Sequence, residues 1–252
     1  MATHPVEFNV SGDFSVQRKP ELCTINISVQ LEGPDPAFVS AKVTTKMNEL
    51  VAELRALAPP NHGAEVDGQL VIDSAFPVTN WSAQSVTTSV WTDRKPQPPP
   101  RAELARTAAP GEQQWVEKIV HHARATAEAT FHNFEALGDF AARVAAQDLA
   151  KVDGLSWDVA PLTRKSLQTS VRQEALRDAI AKARDYAQVI GGPDANVRVT
   201  EVNDSGGPIY RQNKAAFGVA AFASGGHQPE RINFEPAPVD ISANVMVKCV
   251  LA

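Results

Sequence analysis

Val239-Asp240-Ile241-Ser242-Ala243-Asn244-Val245-Met246-Val247-Lys248-Cys249-Val250-Leu251 places an apolar residue at every odd position. Asp240, Ser242, Asn244 and Lys248 fall between them, which describes a strand with one face in a core and the other in water. The opposite end of the chain carries the same period. Val6, Phe8, Val10, Phe14 and Val16 sit at even positions, and Arg18-Lys19-Pro20-Glu21 breaks the run. Cys23, Ile25, Ile27, Val29 and Leu31 then alternate at odd positions. These two runs predict a hairpin. Gly33-Pro34-Asp35-Pro36 turns the chain into a helix, with Asp35 as N-cap and Pro36 at the first helical position. Val43, Met47, Leu50, Val51, Leu54 and Leu57 recur at spacings of three and four until Pro59-Pro60 ends the run.

Further along, Leu70-Val71-Ile72 and Val86, Thr88 and Val90 have strand character. Residues 94–113 hold Pro96, Pro98, Pro99, Pro100 and Pro110 among polar residues, an excursion or flexible connection. Three consecutive prolines beside Arg101 leave open a ligand for an aromatic groove. From Trp115 to Phe131, Ile119, Ala123, Ala125, Ala127, Ala129 and Phe131 share one parity, so a long strand with one wet face is expected. Alanine-rich sequence also suits a helix. Asn133 caps a helix whose stripe is Phe134, Leu137, Phe140, Val144 and, less regularly, Leu149. Asp153-Gly154 reads as a turn into a short strand with Leu155, Trp157 and Val159 on one side. A long helix over about 163–190 follows, with Leu167, Val171, Leu176, Ile180, Ala183, Ala187 and Ile190 as its stripe and Gly191-Gly192-Pro193 as its stop. Val197 and Val199 mark a strand, and residues 203–236 form a Gly-, Ala-, Ser- and Pro-rich loop without a stable period.

Strands that alternate polar with apolar do not suit a parallel sheet covered on both faces. The expectation is an α+β fold, an antiparallel or mixed sheet with long amphipathic helices packed on one face, built as one domain over residues 1–252. A hydrophobic fraction of 43% suffices for a core without metals or disulfides. A net charge of −5 and no basic stripe argue against nucleic acid and against anionic membrane as partners. No uncharged stretch approaches the roughly 20 apolar residues of a membrane span. The chain enters strand pattern directly, without a basic leader or cleavage site, so a cytoplasmic location is expected unless an upstream segment has been removed. Two cysteines, Cys23 and Cys249, both on apolar parity, fit buried thiols in a reducing compartment. A disulfide between them requires that their strands be neighbours.

The order of these pieces resembles the SIMPL-domain family, long catalogued as a domain of unknown function. The matching stretches are Gly12 within the first strands, Pro34-Asp35 before the first helix, Phe134-Glu135-Ala136-Leu137-Gly138 and the strand around Trp157. Gln173-Glu174-Ala175-Leu176-Arg177-Asp178-Ala179-Ile180-Ala181-Lys182-Ala183-Arg184 with Gly191 follows, and then Ile241-Ser242-Ala243-Asn244-Val245-Met246-Val247. The resemblance is collinear over nearly the whole chain, and its specificity lies in the order. It implies that the hairpin strands and the closing strand share a sheet under the long helices. It supplies no catalytic motif. The family includes bacterial envelope proteins, some resembling self-assembling particles, and a vertebrate adaptor associated with kinase signalling. Two departures stand out: most bacterial members have a signal peptide, and the proline-rich segment looks like an insertion.

Motifs for chemistry are scarce. On a strand, His121 and His122 point to opposite faces, and His122 and His132 share a face roughly 33 Å apart, beyond one ligand sphere. On a helix, His121 and His132 share a face three turns apart. Neither His-Glu-x-x-His, Gly-x-Ser-x-Gly nor a phosphate loop is present. No metal or cofactor is therefore expected. Asp204-Ser205-Gly206-Gly207-Pro208 with Tyr210, Arg211 and Lys214 is the best anion-binding candidate, against the plainer reading of a polar loop. Phe217-Gly218-Val219-Ala220-Ala221-Phe222 is an apolar patch for docking, with Phe217, Val219 and Phe222 as contacts, or else a cover for a sheet edge of its own subunit. Of Trp81, Trp91, Trp115 and Trp157, those flanking the irregular region suit a partner anchor, and the rest belong in a core. The expected function is a non-enzymatic protein-interaction or scaffold module that self-associates. The alternatives are a hydrolase-like enzyme assembled only in three dimensions, with His121 or Asp204 as candidates, and a small-ligand binder at the sheet–helix interface.

Overall fold

A computed structural model describes residues 6–60, 65–66, 69–70, 72–96, 115–204, 209–211, 214–216 and 234–251. In chain order the elements are β1 (Glu7–Arg18), β2 (Leu22–Gly33), α1 (Pro36–Leu57), β3 (Glu65–Val66), β4 (Gln69–Leu70), β5 (Val78–Ala83), β6 (Thr87–Pro96) and β7 (Trp115–Phe131). Then come α2 (Phe134–Ala145), β8 (Ala150–Asp158), α3 (Pro161–Gly191), β9 (Val197–Asp204), β10 (Ile209–Arg211), β11 (Lys214–Ala216) and β12 (Val239–Leu251). The class is α+β, with antiparallel sheets and helices on their apolar faces.

The chain ends meet in one layer. β1 and β12 pair in register from Glu7 opposite Val250 to Arg18 opposite Val239, with β9 and β10 along the far side of β12. β2 belongs to a second, larger sheet of order β11-β8-β2-β7-β5, in which β6 also pairs with β7. The expected hairpin between the first two strands is therefore corrected. Period-two alternation assigns a face to each strand and says nothing of its partner; β2 has both edges occupied, by β7 and β8. Residues 18–22 carry the chain from one sheet to the other, and Glu21 N–H donates to the Asp158 carbonyl at 2.8 Å. Of the strands expected to join the closing strand, only the first does. Buried residues of both sheets belong to one core cluster.

Cap chemistry places the helices as expected. The Asp35 carboxylate accepts from Ala37 N–H at 2.9 Å, and the Asn133 side chain accepts from Glu135 N–H at 3.0 Å. Ala160, the N-cap of α3, makes no side-chain cap. Glu21 supplies it from across the chain, accepting from Ala160 N–H at 2.8 Å and from the Thr163 hydroxyl at 3.0 Å.

The buried row of α3 is Leu167, Val171, Ala175, Ala179, Ala183 and Ala187, a strict spacing of four. The expected stripe included Leu176, Ile180 and Ile190, of which the first two are half-buried and Ile190 is 54% exposed. Gly12 explains the difference. A Cβ there would lie 2.1 Å from the Ala175 carbonyl oxygen and 2.4 Å from Ala179 N, so α3 rests its small residues directly on β1. Asp153-Gly154 is also not a turn. β8 runs through it, and pairing jumps from Asn26 opposite Gly154 to Ile27 opposite Val152. This bulge leaves Asp153 over and returns both Val152 and Leu155 to the core despite their opposite parity. Leu70 lies in β4, whereas Ile72 is outside any strand and exposed.

Candidate functional site

β7 outruns the sheet that holds it. Its pairing with β2 ends at His121 opposite Gly33, while its pairing with β6 continues to Trp115 opposite Pro96. Trp115–Val120 and the facing stretch of β6 thus form a two-stranded ribbon reaching roughly 20 Å past β2. α1 packs on β7 and β2, and the residues of β7 from Ala123 to Phe131 on that face are buried. The same apolar parity persists along the ribbon, where the side chains are no longer buried: Ile119 is 58% exposed and Val90 is 62% exposed. Val90 stands opposite His121 and Thr92 opposite Ile119, so Val90 and Ile119 share a face. Trp91, opposite Val120, takes the other face and is 49% exposed. Backbone pairing continues outward with Asp93 opposite Lys118 and Arg94 opposite Glu117.

Isolated two-stranded ribbons are marginal in water and need a packing surface. A ribbon with large apolar side chains on both faces has the chemistry of a contact element. Ile119 carries the apolar parity that read as buried; alternation continues where the helix above it stops. Trp91, one of the tryptophans flanking the irregular region, is half exposed, while Trp157 is buried against Phe134 with ring centroids 5.1 Å apart.

The other candidates are dispersed. Phe217, Val219 and Phe222, and Ser205, Gly206 and Gly207 of the anion loop, lie outside the described residues. Arg211 is in β10 opposite Asp240, and Lys214 is in β11 opposite Ser156, so their backbones belong to different sheets. The end of β9 and these two short strands fall within the interval 203–236, and Arg94–Pro96 of the proline-rich interval lie in β6. His121 is half-buried on β7, in the larger sheet; Asp204 ends β9, in the other, and pairs with Arg172 at 3.3 Å. His121 and His122 are consecutive on a strand and point to opposite faces. Among the described residues no group of three or more His, Cys, Asp or Glu side chains is placed to hold a metal ion. His132, just past β7, has Nδ1 buried without a hydrogen-bond partner, and burial lowers its pKa while Asp73 opposes the shift.

Cys23 and Cys249 are buried and free, on strands of different sheets. Burial pushes the Cys23 thiol up to about 12 and raises that of Cys249. A depression of about 80 Å³ lies on the open face of the terminal sheet, among Asn9, Glu201, Asn203, Met246 and Lys248. That is well below the roughly 300–1,000 Å³ of small-molecule sites. At Gly12 the sheet–helix interface is closed by direct backbone contact. Among the described residues no helix is long and apolar enough to cross a membrane.

Compared with known families, residues 8–249 match the family model described as SIMPL, a protein of unknown function (DUF541). No curated protein matches the chain.

Proposed function

The chain belongs to the SIMPL family, whose function is unknown, and we propose that it is a non-catalytic protein-interaction module that associates with copies of itself. One observation supports this reading above others: the β6–β7 ribbon leaves the sheet with Val90 and Ile119 on one face and Trp91 on the other. Burying such side chains stabilises a contact by roughly 1.5–3 kcal/mol each when the burial is complete. Aromatic anchors dominate such contacts. A cytoplasmic setting belongs to the same proposal and fits the two free, buried thiols.

The test is the combined variant Val90→Thr, Trp91→Thr and Ile119→Thr, which keeps strand-forming residues and removes apolar surface. Sedimentation of the wild-type chain is expected to give a multiple of 27.1 kDa, and the variant a single chain. A variant with the wild-type mass would remove the ribbon from the interface.

A further inference from the structure

Among the described residues β1 is the outer strand of the terminal sheet. The Val6 carbonyl accepts from Leu251 N–H at 3.0 Å, so even residues at this end direct their main-chain groups toward β12. Odd residues of β1 then aim theirs at the free edge. Two contacts fit this parity. Asp13 N–H donates to Asp178 Oδ2 at 3.0 Å, and Lys182 Nζ donates to the Ser11 carbonyl at 3.4 Å. Asp178 and Lys182 are four residues apart on α3 and pair at 2.7 Å, with Lys182 also 3.6 Å from the Asp13 carboxylate. The Asp178 carboxyl is held below its usual range by the Lys182 hydrogen bond first and the Asp13 N–H second. Unpaired strand edges invite pairing with another chain, and charges brought onto them suppress it. Here the charged pair sits on the middle of the edge.

The strand beneath that pair is self-complementary. Phe8, Val10, Phe14 and Val16 are arranged symmetrically about Gly12. Set antiparallel against a second copy with Gly12 opposite Gly12, Phe8 meets Val16, Val10 meets Phe14, and Ser11 meets Asp13. Odd residues face odd residues in this register, so the outward main-chain groups of each strand find those of the other. Glu7 meets Gln17 and Asn9 meets Ser15, so no like charges oppose each other. Phe14, 40% exposed in the single chain, gains an apolar neighbour.

We infer that the free edge of β1 is a docking edge for the β1 strand of a second copy, held shut by the Asp178–Lys182 pair on its central Ser11 and Asp13. The ribbon of β6 and β7 is a separate surface. Whatever mass the wild-type chain has, this inference is decided by the change when the pair is removed. Asp178→Ala with Lys182→Ala is expected to double the mass measured by sedimentation at equal concentration. The amides of Asn9 and Ser15, which point outward, should then become slower to exchange hydrogen. Adding Ser15→Pro removes an N–H that β12 does not use and should restore the wild-type mass. Exchanging the charges, Asp178→Lys with Lys182→Asp, keeps an ion pair but sets a donor against the Asp13 N–H, and should behave as the alanine pair does. A folded alanine pair, judged by circular dichroism, that keeps the wild-type mass would overturn the inference. So would a raised mass that survives Ser15→Pro, or a charge exchange indistinguishable from wild type.

Discussion

Replacing Gly12 with Ala is the sharpest perturbation of this fold. The added Cβ would stand 2.1 Å from the Ala175 carbonyl oxygen, 2.4 Å from Ala179 N and 2.7 Å from Ala179 Cβ. Ordinary contact between such atoms is roughly 3.5 Å, so α3 must withdraw from β1 by about 1 Å. Overpacking of this kind costs about 1–3 kcal/mol, and more where the obstacle is backbone that cannot change rotamer. A 1 Å gap also forfeits a quarter to a half of the dispersion energy along the contact, where the buried alanines of α3 lie. Against this, Ala in place of Gly lowers the entropy of the unfolded chain by about 0.5–1 kcal/mol. The expected net loss is about 3–4 kcal/mol. For a chain of this size that corresponds to a fall in Tm of roughly 6–16 °C. Calorimetry and urea unfolding of the two proteins measure it. Adding Ala179→Gly removes one of the three clashes and leaves the two with backbone, so it should not restore stability. A Gly12→Ala protein within about 0.5 kcal/mol of wild type would refute the direct seating of α3 on β1.

Glu21→Ala deprives Ala160 N–H and the Thr163 hydroxyl of their acceptor and should cost about 1–2 kcal/mol, measured by urea unfolding. His132 has a folded pKa below its ordinary 6.5, so the unfolded chain binds the extra proton and stability falls as pH drops below 6.5. Unfolding near pH 7.5 and near pH 5.5 should show a smaller acid loss for His132→Gln than for wild type. Cys23, with its thiol raised to about 12, should resist alkylation in the folded protein at mildly alkaline pH and react once urea unfolds it, as mass spectrometry would report.

The helices and the two terminal strands were legible because their signals are local. Asp35 and Asn133 are good N-caps followed by apolar stripes, and Val239 to Leu251 alternates without a break. What escaped depends on partners distant in sequence. Alternation in β1 and β2 names an inward face, and two adjacent strands of equal length suggest a hairpin; the actual partners lie at the far end of the chain and at β7 and β8. The contact row of α3 escaped because alanine is a weak hydrophobic signal. Only the glycine opposite it shows that small residues are required. The bulge at Asp153 hides in the same way, since Asp-Gly is a turn signal and its Asp is instead held by the Ser28 hydroxyl at 2.9 Å and by Arg124 at 3.2 Å. On the surface, Trp91 is half exposed beside the proline-rich interval. The exposure of Ile119 was not readable, because parity does not record where α1 stops covering β7. The Asp178–Lys182 pair looks like an ordinary surface pair at helical spacing until β1 is placed beneath it.

The central functional claim, that this chain joins with copies of itself, is tested most directly by sedimentation equilibrium of the wild-type protein over a wide concentration range. Species at multiples of 27.1 kDa, their proportion rising with concentration, are expected. A single 27.1 kDa species throughout would contradict it.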